Sequence, residues 1–173
     1  EDYPAEARSV SWDTDRDGLP DWWEILHGTN PASPTSDFTD TNADPTQDGY
    51  TALDDYLAWM ALPRLETAVA TPVELHLTTL TAGYSVTSSR HVQLNPDSAA
   101  AGNVTLLADG KTARFTPAPG FTGLAYFTHT VTDTAGDTMT GEVGVRVSTP
   151  SQAGPSLAMV RTDTGMMIEF TGT

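Results

Sequence analysis

Five carboxylates stand in register through DTDRDGLPDWWE (residues 13–24), a spacing of oxygen donors that suits a hard cation. Counting Asp13 as position one, side-chain oxygens fall at Asp13, Asp15, Asp17, Asp21 and the closing Glu24, with Gly18 sixth and Leu19 offering a backbone carbonyl seventh. Such a cation takes about six to eight oxygens, and alternate residues of a tightly curled loop can all point at one centre. Gly18 permits the sharp turn. Glu24 arrives as the chain becomes helical, where its carboxylate can close the cage with both oxygens. Calcium is the expected ion. A solvated acidic turn is the plain alternative, and five acids with a glycine in register weigh against it.

DPTQDGYTALDD (44–55) repeats the plan in weaker form. Asp44, Thr46 and Asp48 take the first, third and fifth positions, Gly49 the sixth, the carbonyl of Tyr50 the seventh and Asp55 the twelfth. Thr46 stands where an acid is usual, Ala52 leaves the ninth position to water, and Asp55 is one methylene shorter than Glu. Asp40, Asn42 and Asp44 form an overlapping run that could add ligands or begin the site earlier. The same stretch can also be read as a helix start, because Thr51 and Asp54 have the spacing of a capping box.

These loops need elements to hold them. The first is expected to open a helix at Asp21–His27, stopped by Gly28 with Pro31 beyond; the second opens one over Thr51–Leu62, stopped by Pro63. Neither helix is long enough to stand alone. A shared core of Trp22 or Trp23, Ile25, Leu26, Leu53 and Leu57 is expected, with Leu53, Leu57 and Met60 recurring at helical spacing. After Pro63 the period changes to two. Val73-Leu75-Leu77, Val104-Leu106, Ala113-Phe115, Phe127-His129-Val131 and Val143-Val145-Val147 read as half-buried strands, with hairpin turns at Asp109-Gly110 and Ala135-Gly136-Asp137. The expected fold class is therefore mixed: a small helical calcium-binding segment (1–63), then an antiparallel immunoglobulin-like β-sandwich (64–148). Residues 149–173 read as a linker and the first hairpin of a further β-module, or else as strands added to the preceding sandwich.

Composition narrows the function. The chain of 173 residues carries a net charge of −15, and residues 1–55 hold 14 acids against 2 bases, a net −12. Nucleic acid, whose phosphates demand a basic face, is excluded as a partner. No apolar run approaches the roughly 20 residues of a membrane span, and the start shows no leader pattern, so a mature or excised chain is expected. With no cysteine, there are neither disulfides nor thiolate metal sites. Calcium loops of extracellular modules fill at ~0.1–1 mM, which favours a secreted, extracellular protein.

The first 62 residues resemble a segment of secreted bacterial polysaccharide-degrading enzymes, notably pectate-lyase-like proteins. The likeness rests on DTDRDGLPDWWE, GTNP (28–31) and DGYTALDDYLAWM (48–60). It extends more loosely to EF-hand, dockerin and thrombospondin type 3 calcium repeats. It implies Asp13, Asp15, Asp17, Asp21, Glu24, Asp44, Asp48 and Asp55 as calcium ligands. Residues 66–148 resemble a bacterial cadherin-like or immunoglobulin-like module through LLADGKTARFTPAPGFTG (106–123) and YFTHTVTDTAGD (126–137), with His129 where an aromatic is commoner.

Catalysis is not expected. The acids are committed to the metal loops, the histidines (27, 76, 91 and 129) are dispersed, and no nucleophile elbow or phosphate loop occurs. The resemblance implies a monomeric, non-catalytic accessory module covalently linked to a catalytic domain. It would bind a plant or algal cell-wall polysaccharide by stacking sugar faces on Trp22, Trp23, Trp59 or Tyr126. The alternative is a structural spacer or adhesion module with no glycan affinity. The plainer reading of each tryptophan, and the favoured one, is packing in a core or seam.

Overall fold

The computed structural model describes residues 8–9, 11–34, 37–85 and 87–149, together with the backbones of two later strands. The chain divides into two compact units at Leu62/Pro63. Among the described residues no helix is long and apolar enough to cross a membrane.

The first unit holds two helices, α1 (Asp21–His27) and α2 (Ala52–Ala61). α1 ends as the Gly28 signal requires: Gly28 adopts φ 79°, and the amides of Gly28 and Thr29 both donate to the carbonyl of Glu24. α2 begins on Thr51, whose hydroxyl accepts from the Asp54 amide while the Asp54 carboxylate accepts from the Thr51 amide. The capping box is thus present, beside the loop geometry rather than instead of it.

The core differs from the expected one. Ile25 is 59% exposed and Leu57 54%, and Leu26 and Met60 are also exposed; the buried residues are Leu19, Trp23, Ala52, Tyr56 and Trp59. Ala52, Tyr56 and Trp59 recur at the same helical spacing as Leu53, Leu57 and Met60, displaced by one residue. An aromatic side chain buries about 150–250 Å², so the stripe containing Tyr56 and Trp59 turns inward, Leu57 and Met60 turn out, and Leu53 is half-buried. Trp23 packs edge-on to Tyr56 at 5.3 Å and tilted on His27 at 4.2 Å.

The second unit contains seven strands in two sheets: β1 (Arg64–Ala68), β2 (Val73–His76), β3 (Ser89–Leu94), β4 (Gly102–Leu106), β5 (Thr112–Pro117), β6 (Gly123–Thr132) and β7 (Thr138–Ser148). One sheet runs β1-β7-β6-β3 and the other β2-β5-β4. All pairs are antiparallel except β1 with β7, which is parallel from Arg64↔Gly144 to Ala68↔Ser148. That pair joins the first and last strands of the module, so the intervening chain supplies the crossover a parallel pair needs. Leu77 lies not in a strand but in the 3-10 turn Leu77–Thr79, where it is fully buried. Phe115, Ala125, Phe127, Val143, Val145 and Val147 form the centre of the core with Leu77.

The expected turns are built by short polar side chains. In the β4–β5 hairpin Asp109 accepts from the Thr112 hydroxyl and from the amides of Lys111 and Thr112, which pull its pKa down to about 2. In the β6–β7 hairpin Asp133 accepts from the amides of Ala135 and Asp137, with Gly136 at φ 92°. Beyond these, β8 (Ser156–Thr162) and β9 (Gly165–Thr171) pair with each other as a separate two-stranded sheet. The linker expected before them falls mostly outside the described residues.

β6 alternates buried and half-buried along its whole length, and the alternation carries His129 inward beside Phe127 and Val131. Its Nδ1 has no hydrogen-bond partner, and burial alone lowers its pKa from the usual 6.5. Gly141 lies opposite in register and leaves room for the ring: an added Cβ would stand 2.6 Å from Nε2. The unfolded chain then takes up the proton more readily than the folded one, so acid favours unfolding. Stability of this unit should be complete above pH 6.5 and decline as the pH falls through the lowered folded value. Hydrogen exchange of β6 and β7 amides, corrected for intrinsic rates, should show weakening protection as the pH falls below 6.5 toward the lowered folded value, and His129→Phe should flatten the trend. Equal trends in the two proteins would dismiss this account.

Candidate metal centre

The first loop is shaped by its own backbone amides. Asp13 accepts from the amides of Arg16 (2.7 Å) and Gly18 (3.2 Å), and Asp17 accepts from that of Leu19 (2.9 Å). Arg16 at φ 64° and Gly18 at φ 104° supply the left-handed turns that fold the carboxylates back over the loop. Among the described residues, oxygens of Asp13, Asp15 and Asp17 lie within 4.8 Å of one another.

Glu24 belongs with this group by burial and by charge. It is fully buried, and neither carboxylate oxygen has a hydrogen-bond partner; Asp15, 2% exposed, leaves its Oδ1 in the same condition. Loss of water pushes the Glu24 pKa up to about 8, with repulsion from Asp15, Asp17, Asp21 and Asp40 adding to it. Buried polar atoms are ordinarily hydrogen-bonded, because an unpaired one costs about 1–3 kcal/mol and a charged one more. Three orphaned carboxylate oxygens beside a cluster of carboxylates are the donor set of a hard divalent cation, so the residues fit such an ion.

Asp21 acts on Glu24 by charge and, like Glu24, stands outside the three-carboxylate group. Its two oxygens accept from the amide and hydroxyl of Thr14, both at 2.7 Å. A threonine at the second position of the loop thus holds the ninth-position acid, which spacing alone does not reveal. Leu19 has the expected place after Gly18, with its side chain fully buried.

The second loop copies the backbone of the first. Gln47 and Gly49 have φ 57° and 94°, matching Arg16 and Gly18 at the fourth and sixth positions. Asp44 accepts from the amides of Asp48 (3.2 Å) and Gly49 (3.0 Å), and Asp48 from that of Tyr50 (3.0 Å). These bonds, Gly49's foremost, hold Asp44 below the usual carboxylate range. Burial pushes Asp55 upward, with Asp48 and Asp44 adding to the rise. Yet residues 44–50 are all exposed, Thr46 spends its hydroxyl on Asp44 at 3.3 Å, and no second cluster of three acids forms among the described residues.

The stretch between the loops lies over the first one. Ser33 donates to Asp15 through its hydroxyl (2.7 Å) and amide (3.2 Å), the buried Thr41 hydroxyl donates to Asp17, and the Asn30 amide donates to Asp40 (3.1 Å). Nothing in the loop motif names Ser33 or Thr41.

The aromatic residues expected to stack on sugars divide into two sets. Trp23 and Trp59 are each 3% exposed and present no ring face to a ligand; both are packing residues on the inward faces of their helices. Trp22 is half-buried, edge-on to Trp23 at 5.6 Å and to Tyr56 at 6.3 Å, and Tyr126 is half-buried on β6 of the other unit.

Residues 62–146 match the protein family described as Bacterial Ig domain. The β-module is immunoglobulin-like. Solved structures with some likeness include the PKD domain from KIAA 1837 protein, at 23% identity over 56% of this chain and 88% of that one, TM-score 0.38. A 2,6-sialyltransferase of Vibrionaceae Photobacterium sp. JT-ISH-224 shows 11% identity over 52% of this chain and 19% of its own length, TM-score 0.31. At those scores neither carries an argument. No curated protein matches the chain.

The Thr51–Asp54 box gives a local test. Thr51→Ala should cost the first unit about 1 kcal/mol and Thr51→Ser much less. All four tryptophans precede Pro63, so the loss should appear as an earlier fluorescence transition in urea. No shift with Thr51→Ala would show that tertiary packing alone holds the start of α2.

Proposed function

We propose that this chain is a calcium-stabilised, non-catalytic accessory module in which a metal-bound helical unit precedes an immunoglobulin-like one. The observation that carries the reading is Glu24: buried, with two orphaned oxygens, and repelled by Asp15 and Asp17 of the three-carboxylate group. A divalent cation supplies the charge that this arrangement lacks, held by Asp13, Asp15, Asp17, Glu24 and the carbonyl of Leu19. Asp44, Asp48, the carbonyl of Tyr50 and Asp55 form a second, weaker candidate, favoured by the repeated backbone. The ion acts as a staple. Its affinity range suits an extracellular setting, and the family resemblance points to attachment to a secreted polysaccharide-degrading enzyme.

The chain's part beside such an enzyme is that of a spacer. Trp23 and Trp59 are buried and withdrawn from any stacking surface, and the described sandwich carries no tryptophan. Polysaccharide binding is the second reading, left to Trp22 and Tyr126. Alanine at whichever of these meets sugar should weaken retention on a cell-wall glycan array without displacing calcium. Retention of the wild type on no glycan would leave the spacer role. Product released from pectin, alginate or cellulose by the pure chain would end the non-catalytic reading.

Calcium at about 10 mM should stabilise the first unit by about 1.4–2.7 kcal/mol for dissociation constants of ~1 to ~0.1 mM. Glu24→Gln should abolish most of that gain. In chelator the same variant should be more stable than wild type, because Glu24, its pKa raised from 4.5 to about 8, must take up a proton to be buried at neutral pH and Gln has no such cost. Tryptophan-detected melting in calcium and in chelator measures both. Coincident wild-type curves would overturn the calcium reading.

A further inference from the structure

The first loop does not hold its carboxylates alone. Asp15 spends Oδ2 on the hydroxyl and amide of Ser33, which leaves Oδ1 as its orphaned oxygen. Asp17 is held from two sides, by the Leu19 amide within the loop and by the Thr41 hydroxyl from outside it. Thr41 is 3% exposed, and its hydroxyl also lies 3.1 Å from the carbonyl of Asp17. Its own carbonyl accepts from the amide of Leu53, and the carbonyl of Ala43 accepts from that of Ala52, both in the first turn of α2. Leu53 in turn packs toward Gly18, the turning residue of the loop.

We propose that Ser33 and Thr41 are positioning residues for the first-loop cation, fixing Asp15 so that its orphaned Oδ1 faces the ion and Asp17 so that the lone pairs not spent on Leu19 and Thr41 do, and that Thr41 ties occupancy of this loop to the docking of α2. The proposal rests on the calcium reading above. Neutral hydroxyl donors are suited to this positioning, because each bond removes a rotamer of its carboxylate while leaving the negative charge in place for the metal. The twelve-residue motif is then incomplete as a binding unit, since two of its acids are aimed by residues 18 and 24 positions further along.

The test uses the whole chain with calcium, and with terbium as a luminescent probe excited through the nearby tryptophans. Thr41→Val should weaken calcium binding about 10- to 100-fold in calorimetry, Ser33→Ala should weaken it in the same direction, and Thr41→Ser should restore it. Terbium lifetimes in light and heavy water count the waters on the ion. That count should rise in Thr41→Val and return in Thr41→Ser, a change that loss of packing alone does not produce. Calcium should also slow hydrogen exchange in the first turn of α2, and this protection should be lost in Thr41→Val. Thr46→Val, at the third position of the exposed second loop, is the control and should leave first-site affinity unchanged.

Wild-type affinity and water count in both Thr41→Val and Ser33→Ala, with wild type binding normally, would overturn the proposal while sparing the calcium site. No binding by wild type would remove the reading beneath it. If Thr41→Val fails to fold, Ser33→Ala decides by the same two measurements.

Discussion

Like-charged carboxylates brought out of water constrain the first unit more than any apolar contact does. Asp15, Asp17 and Glu24 are buried together, and among the described residues Asp15 and Asp17 are compensated by a set of amide and hydroxyl donors. Glu24 receives none. The two helices have 7 and 10 residues, too short to persist by propensity. Burial of Trp23, Tyr56 and Trp59 favours the same packing that forces the acids together. The unit is therefore pulled inward by its aromatic residues and pushed apart at its loop, an opposition that the proposed divalent cation would relieve.

The immunoglobulin-like unit is held in a different way. Its core is aliphatic and aromatic, its hairpins are fixed by Asp109 and Asp133, and its longest pair, β6 with β7, runs ten residues in register. Charge enters only at the margin: Arg114 binds Glu74 at 2.6 Å on the surface, and the buried Arg146 lies 3.7 Å from Glu66 across the parallel β1–β7 pair. Exposed pairs of the first kind add at most about 1 kcal/mol. His129 is the exception inside, a polar ring accommodated because Gly141 faces it. One unit thus turns on buried charge and the other on hydrophobic burial, which allows their stabilities to respond to different conditions.

Much of the sandwich was readable because alternation is a local signal. β2, β4, β5, β6 and β7 all coincide with apolar alternation in the sequence, and the two hairpin turns fall on their Asp and Gly residues. β1 and β3 were not visible. RLETA and SRHVQL carry few apolar residues, so alternation does not mark them, whereas the equally edge-placed β2 and β4 keep alternating apolar side chains. The parallel pairing of β1 was hidden for another reason: strand order depends on contacts between distant residues, and alternation says nothing about the neighbour.

The sequence by itself determined the two curled loops, since their turning glycines, their acids and the amides that hold Asp13, Asp17, Asp44 and Asp48 all lie within a few residues of one another. It also determined the helix stop at Gly28 and the cap at Thr51, which are equally local. Tertiary structure alone decided which stripe of α2 faces inward, because Leu53-Leu57-Met60 and Ala52-Tyr56-Trp59 obey the same period and only the buried area separates them. It alone decided that Asp21 turns to Thr14, that Ser33 and Thr41 reach back to the first loop, and that Trp23 and Trp59 are core residues. A side chain's partner across a fold is set by how whole elements pack, and that choice has no period for a sequence to display.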